Sequence, residues 1–416
     1  MNIFFYKGKD NILEYNYEEQ ADNSKELKKI QGAFLKVLDN KNLSFLLGSG
    51  CSSYEILIEP EIQENDNSQE NSTYEDMTQE EVADSTSIEV PEQQLQKKKV
   101  QIGIPVMTPM ATEFYQSEKF KEKKKWLKNK LNIDVDKEIF EKNLEAFLST
   151  LHSLSFYFSN TLDKEEKSNS IEIKYKSKPF AELMDFEKIE DIVLDARNFI
   201  LQKCLNDKNS KPDENKVTKD LPLIELYKQF YRKLLARNST LPRLNIFTTN
   251  YDLYSERAMD LLGIHYVNGF TGGISKFFNP AIFNYALAEK MDLSQSKWSV
   301  IDNFFYLYKL HGSVNWVQSS GENRLFKVSE IQEPTFEVLE KEDTIMIHPT
   351  PLKYNASLGS PYSDLFREFQ KKLMQNNNIL VTIGYSFSDE HINNLIFQAF
   401  TIPSFRLISR ALKSSF

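Results

Sequence analysis

A chain of 416 residues that is 40% hydrophobic and carries 30 Phe, 19 Tyr and 3 Trp can bury a large core, which excludes wholesale disorder and leaves room for two or three domains or one large α/β unit with insertions. Sixty acidic against 51 basic side chains give a net charge of −9, which argues against nucleic-acid binding over the whole surface, and two cysteines, Cys51 and Cys204, supply neither a disulfide framework nor a four-cysteine zinc site. The sequence has no apolar run of about 18 residues, and its start lacks the charged, apolar and cleavage regions of a signal peptide, so the expected location is the cytoplasm with no membrane partner.

Residues 1–54 are expected to hold an N-terminal helix, in which Leu27, Ile30, Phe34 and Leu38 share one face, and a first buried strand, Leu43–Leu47. That strand runs into Gly48-Ser49-Gly50-Cys51-Ser52. Residues 55–100 form an acidic insertion: positions 55–96 carry 13 acidic side chains and no Lys or Arg, a composition that cannot offset its ordering entropy and predicts a mobile surface segment.

From 101 to 240 the pattern predicts a helical subdomain, with stripes such as Leu144, Phe147, Leu151, Leu154, Phe158 and Ile189, Ile192, Val193, Ala196, Ile200, Cys204. Such stripes, together with His152 and Cys204, are core features. Residues 241–416 alternate between strands and helices, with strands expected at 244–250, 304–310, 344–347 and 379–384. Buried strands separated by helices predict an α/β, Rossmann-like parallel sheet with helices on both faces.

Ligands bind such sheets at the carboxyl ends of the strands, and four strands here end in polar clusters. These are Gly48-Ser49-Gly50-Cys51-Ser52, Thr249-Asn250-Tyr251-Asp252, His311-Gly312-Ser313 and Gly384-Tyr385-Ser386-Phe387-Ser388-Asp389. Together they predict one shared pocket. Gly48 and Gly50 fit either a plain tight turn or a backbone cradle for a pyrophosphate, with Ser49 and Ser52 as hydroxyl donors. His311 is the best base, since a neutral imidazole takes a proton at cellular pH. Asn250 can orient a water or a sugar hydroxyl with both a donor and an acceptor. Asp252 fits a contact to an amide N–H or a helix cap, and Glu256 a structural place. His348, before proline, is expected to shape a turn, and His391 to open a helix.

In this order the clusters resemble the sirtuin family, most closely the sirtuin-like branch of bacterial anti-phage defence, in which Thr-Thr-Asn-Tyr-Asp, Leu-His-Gly-Ser and Gly-Tyr-Ser-Phe-Ser-Asp-x-His-Ile are typical. The resemblance covers about residues 43–52 and 244–400, and the helical middle only in general character. It implies NAD+ as substrate and no metal, with cleavage of the nicotinamide–ribose bond by water to nicotinamide and ADP-ribose. On this chain Asn250 and His311 would be catalytic. Gly48, Ser49, Gly50 and Ser52 would hold the pyrophosphate, Thr249 would line the cofactor site and Asp252 would meet the carboxamide. Gly384, Ser386 and Asp389 would face the adenosine. Deacylating sirtuins carry a four-cysteine zinc module that two cysteines cannot supply, which favours hydrolysis over deacylation or ADP-ribosyl transfer. A non-catalytic NAD- or ADP-ribose-sensing subunit is the remaining alternative.

The same branch implies a homo-oligomer assembled with a HerA-type hexameric ATPase, which would bring any nucleic acid only indirectly, and an effector role in abortive infection. It also implies a strand–helix element beyond Phe405–Ile408, so the last adenosine contacts are expected to be incomplete or to come from another subunit. An acidic cluster with two-metal spacing, as a nuclease would need, is not evident.

Overall fold

The computed structural model describes residues 6–7, 10–11, 24–58, 98–161, 173–175, 178–181, 183–205, 223–292, 297–319, 327–342, 344–346 and 360–410. Its centre is a six-stranded sheet formed by Asn42–Leu47 (β1), Asn245–Thr248 (β2), His265–Val267 (β3), Phe304–Lys309 (β4), Asn378–Ile383 (β5) and Arg406–Arg410 (β6). The strand order is β6-β5-β1-β2-β4-β3, and every neighbouring pair is parallel. The protein is therefore an α/β, Rossmann-like parallel sheet flanked by helices, as the sequence predicts.

Side chains along a strand alternate between the two faces of its sheet. In β1, Leu43, Phe45 and Leu47 enter one core while Leu46 enters the other. Because both faces are covered, the strand reads as an unbroken apolar run. The first face packs against five longer helices: Met107–Gln116 (α1), Glu118–Leu131 (α2), Leu144–Thr161 (α3), Leu183–Leu205 (α4) and Leu223–Leu235 (α5). The helical middle thus shares one continuous core with the sheet. Phe45 meets Phe230 of α5 edge-on, with ring centroids 5.6 Å apart. The helix Tyr254–Leu261 (α6) adds Tyr254, Ala258 and Met259 to the same core. The second face is covered by Tyr362–Leu373 (α7) and Glu390–Ala399 (α8), through Leu365, Phe369, Leu373, Ile392 and Ile396. There Phe247 lies between Tyr308 and Phe369, at 4.5 and 4.7 Å between ring centroids.

One expectation is corrected. Residues 344–347 do not extend the parallel sheet. Thr344–Met346 instead pairs antiparallel with Gly312–Gln318, in a five-stranded antiparallel sheet that also contains Val328–Glu330, Lys276–Phe278 and Phe270–Thr271. The reason is local: Gly312 adopts φ +86°, open to a residue without a Cβ, and redirects the chain after β4 into this second layer.

The acidic insertion begins and ends as an antiparallel ribbon, Ser53–Ile58 against Lys98–Gly103, so pairing continues past position 55. The rest of that insertion, the N-terminal Leu27 and Ile30 side chains, and His348 lie outside the described residues. Among the described residues, no helix is long and apolar enough to cross a membrane.

Candidate functional site at the carboxyl ends of the strands

β1 and β5 lie side by side, yet the chain leaves β1 toward β2 and leaves β5 toward β6 on the opposite side. Divergence of this kind opens a crevice outside the strand ends. The register Leu47↔Ile383 and Leu47↔Thr248 brings the ends of β1, β5 and β2 level. The loops that follow are locked together. The Gly48 N–H donates to the Ile383 carbonyl at 2.9 Å, and the Gly50 N–H to the Gly384 carbonyl at 2.9 Å. A Cβ on Gly48 would lie 2.5 Å from the Gly384 oxygen and the Tyr385 Cα, and one on Gly384, at φ +63°, would lie 2.6 Å from the Cys51 nitrogen. These glycines therefore have a packing reason of their own, the close approach of two backbones. Ser49 and Gly50 remain exposed at the mouth.

Thr248 and Thr249 tie β2 to β1: the Thr249 N–H and the Thr248 hydroxyl both donate to the Leu47 carbonyl, at 3.1 and 3.0 Å. The next residue, Asn250, is buried, and its amide is fixed on one side. Its Nδ2 donates to the Gly48 carbonyl at 3.0 Å and to Ser52 Oγ at 2.8 Å, while its own N–H donates to Thr248 Oγ1 at 3.0 Å. Ser52 passes its proton on, donating to Asp252 Oδ2 at 2.5 Å, and Asp252 Oδ1 accepts from the Tyr254 N–H at the start of α6. Asp252 thus sits at the helix start and in the site at once. The Asn250 Oδ1 atom is buried with no hydrogen-bond partner among the described residues. A buried acceptor left unmatched costs roughly 1–3 kcal/mol, so its persistence marks a position that serves something other than packing.

Beneath this layer lies Lys309, the last residue of β4, only 1% exposed. Its ammonium donates to the Asp252 carbonyl, to the Tyr251 carbonyl at 3.3 Å and to Glu256 Oε1 at 2.9 Å. All three protons are used, and two of them hold the loop that follows Asn250. Burial pushes the Glu256 carboxyl up, with Lys309 pulling it back. Glu256 has the structural place that the sequence predicts, whereas Lys309 carries no sequence signal, because a lysine inside an apolar run reads as an interruption.

Two residues beyond Lys309 stands His311, 5% exposed, in the turn between β4 and the second sheet. The Tyr251 carbonyl also accepts from the Val314 N–H at 3.0 Å and from Ser313 Oγ at 3.3 Å, which pins this turn against the Asn250 loop. Asp389, which the resemblance assigns to the adenosine side, lies beside His311, with Oδ1 4.0 Å from Nε2. The His391 ring lies 5.5 Å from that of His311. Ser386 is exposed and shares a hydrogen bond with Ser388 at 2.8 Å. The sequence placed His391 correctly in the first turn of a helix, but its approach to His311 across the strand ends has no sequence signal.

The four polar clusters therefore converge, with Gly48 to Ser52, Asn250 to Asp252, His311 and Gly384 to Asp389 at one edge of the sheet. A fixed amide with an unmatched oxygen, an imidazole beside a carboxylate and a backbone loop open to solvent are groups that can position a small polar molecule and remove a proton from it.

Residues 244–402 match the family model described as SIR2-like domain. The match covers less than half of the chain and includes β2 to β5 with Asn250, His311 and the loop 384–389. It supports a sirtuin-like protein with NAD-related activity in the broad sense. The Gly48–Ser52 loop falls outside the matched segment and reaches the site through the pairing of β1 with β2 and β5. No curated protein matches the chain.

Proposed function

We propose that this site hydrolyses NAD+ to nicotinamide and ADP-ribose. The observation that carries the reading is the Asn250 side chain. Its Nδ2 is anchored to Gly48 and Ser52, and its buried oxygen is unmatched at the strand ends near His311. An amide held this way can accept a hydrogen bond from a water or ribose hydroxyl and fix its direction of approach.

In the reaction, the bond between ribose C1′ and the nicotinamide nitrogen breaks and its electron pair leaves with nicotinamide. A water oxygen forms the new bond to C1′. The water gives up a proton, which His311 takes and Asp389 stabilises as the ion pair forms. Asp252, fixed by Ser52 and the Tyr254 N–H, faces the carboxamide, and the exposed Ser49–Gly50 backbone meets the pyrophosphate. Gly384 and Ser386 line the adenosine side. Water as the acceptor, rather than an acyl-lysine, is supported by the cysteine count, since two cysteines cannot build the zinc module of a peptide cleft.

By resemblance to the defence branch, the same reading makes the chain an anti-phage effector that acts as a homo-oligomer with a HerA-type ATPase. The test is to incubate the full-length protein with NAD+, alone and with such an ATPase, and to follow nicotinamide and ADP-ribose by chromatography. Release of both in equal amounts, lost in Asn250→Ala and His311→Ala, supports the reading. NAD+ that stays intact despite measurable binding would turn it toward a sensing subunit.

A further inference from the structure

We propose that His311, Asp389 and His391 form a site for one divalent transition-metal ion of the zinc type, and that filling it switches the strand-end site off. The sequence alone gives no expectation of a metal. In the fold, one ligating atom from each of the three residues lies within 4.8 Å of the other two. His311 Nε2 and Asp389 Oδ1 are 4.0 Å apart, and the two imidazole rings are 5.5 Å apart with an interplanar angle of 34°.

Two imidazoles and a carboxylate are a donor set that zinc, cobalt and nickel take readily, whereas magnesium and calcium prefer all-oxygen sites. Bonds of about 2.0–2.2 Å place tetrahedral ligand atoms roughly 3.3 Å apart, so rotations that shorten the separations by up to about 1.5 Å complete a three-ligand site with one open position. The supports are rigid. His311 sits in the turn pinned to the Tyr251 carbonyl. Asp389 and His391 flank the start of α8, whose Ile392 and Ile396 are buried in the core. The His391 ring also packs edge-on against Phe366, 5.1 Å away.

The consequence follows from the shared ligand. An imidazole whose lone pair is given to a metal cannot accept a proton from water. Metal binding and NAD+ hydrolysis thus compete for His311. The switching half of the proposal rests on the proposed function; the binding half does not.

The test uses the full-length chain with Co2+ as a visible-absorption probe and Zn2+ in calorimetry. One ion per chain is expected, with Zn2+ displacing Co2+ and Mg2+ failing to do so. Loss of a partner that merely supports a metal ligand weakens binding roughly 10–100-fold, so His391→Ala and Asp389→Asn, each checked for fold by circular dichroism, should weaken it at least that much. Cys51→Ser should bind as the parent does.

Equal affinity in the parent and both variants, no binding at all, or loss confined to Cys51→Ser would overturn the site. In parallel, the Zn2+ concentration that halts nicotinamide release should rise in His391→Ala together with the dissociation constant. Undiminished release from metal-saturated protein would overturn the switch. A metal-free chain that leaves NAD+ intact while its Co2+ spectrum responds to the variants would sink the proposed function and leave the metal site standing.

Discussion

At the scale of single residues, the site depends on how Asn250 is tethered. Both of its Nδ2 contacts go to groups 198 and 202 residues earlier in the chain, Ser52 Oγ and the Gly48 carbonyl, so its oxygen is aimed by the fold rather than by its own strand. Replacing it with Ala removes the aim and leaves the sheet untouched. NAD+ turnover should then fall roughly 100-fold or more, with the unfolding midpoint close to the parent's. His311→Ala removes the proposed base and should lower kcat by about 10²–10⁴-fold, measured as initial rates of nicotinamide release. Asn250, His311 and the paired glycines were legible in the sequence because each belongs to a short polar cluster directly after an apolar strand. The Ser52–Asp252 bond, Lys309 under the loop and the approach of His391 to His311 were not. Each is created by the lateral order of strands, and strand order leaves no trace in residue spacing.

At the scale of elements, β4 and the loop after β2 are joined by Lys309. Its removal leaves Glu256 with an unpaired charge or a proton taken up from solvent and takes the lysine donor from the Asp252 carbonyl, while the Tyr251 carbonyl keeps the Val314 N–H and Ser313 Oγ. Breaking a buried pair from one side costs about 3–5 kcal/mol, so Lys309→Met should lower the urea midpoint by a corresponding amount. A smaller effect belongs to α3. Burial holds the His152 imidazole below its ordinary value of 6.5, with Glu190 of α4 opposing. The unfolded chain therefore binds this proton more readily than the folded one. The stability His152 contributes is complete above pH 6.5 and is lost as pH falls from there through the lowered folded value. Thermal midpoints recorded from pH 7.5 down to pH 5 should fall less steeply in His152→Gln than in the parent. Strands β1, β4 and β5 were visible in the sequence because burial on both faces makes them plain apolar runs. The five-stranded antiparallel sheet was not, because several of its strands have only two or three residues and its pairings join distant segments such as Lys276–Phe278 and Val328–Glu330.

At the scale of the whole molecule, the acidic insertion leaves and re-enters through the ribbon of Ser53–Ile58 and Lys98–Gly103, whose ends already meet at Ile58↔Lys98. A chain in which residues 60–96 are replaced by a short Gly-Ser turn should therefore keep its fold and melt within a few degrees of the parent in calorimetry, since loop length enters closure entropy only logarithmically. The central position of β1 has a different consequence. Cys51 Sγ donates to the Ile383 carbonyl across 332 residues of chain, and the two glycine loops interlock at the same place. At about 5–20 residues per second, a ribosome needs on the order of 15–65 s to travel from one side of that contact to the other. During this interval β1 first lacks both neighbours and then, once β2 is made, still lacks β5, and the chain has neither Asp389 nor the second glycine loop. A chain broken off before Ile383 therefore lacks one wall of the strand-end site, and on the proposed function it leaves NAD+ untouched.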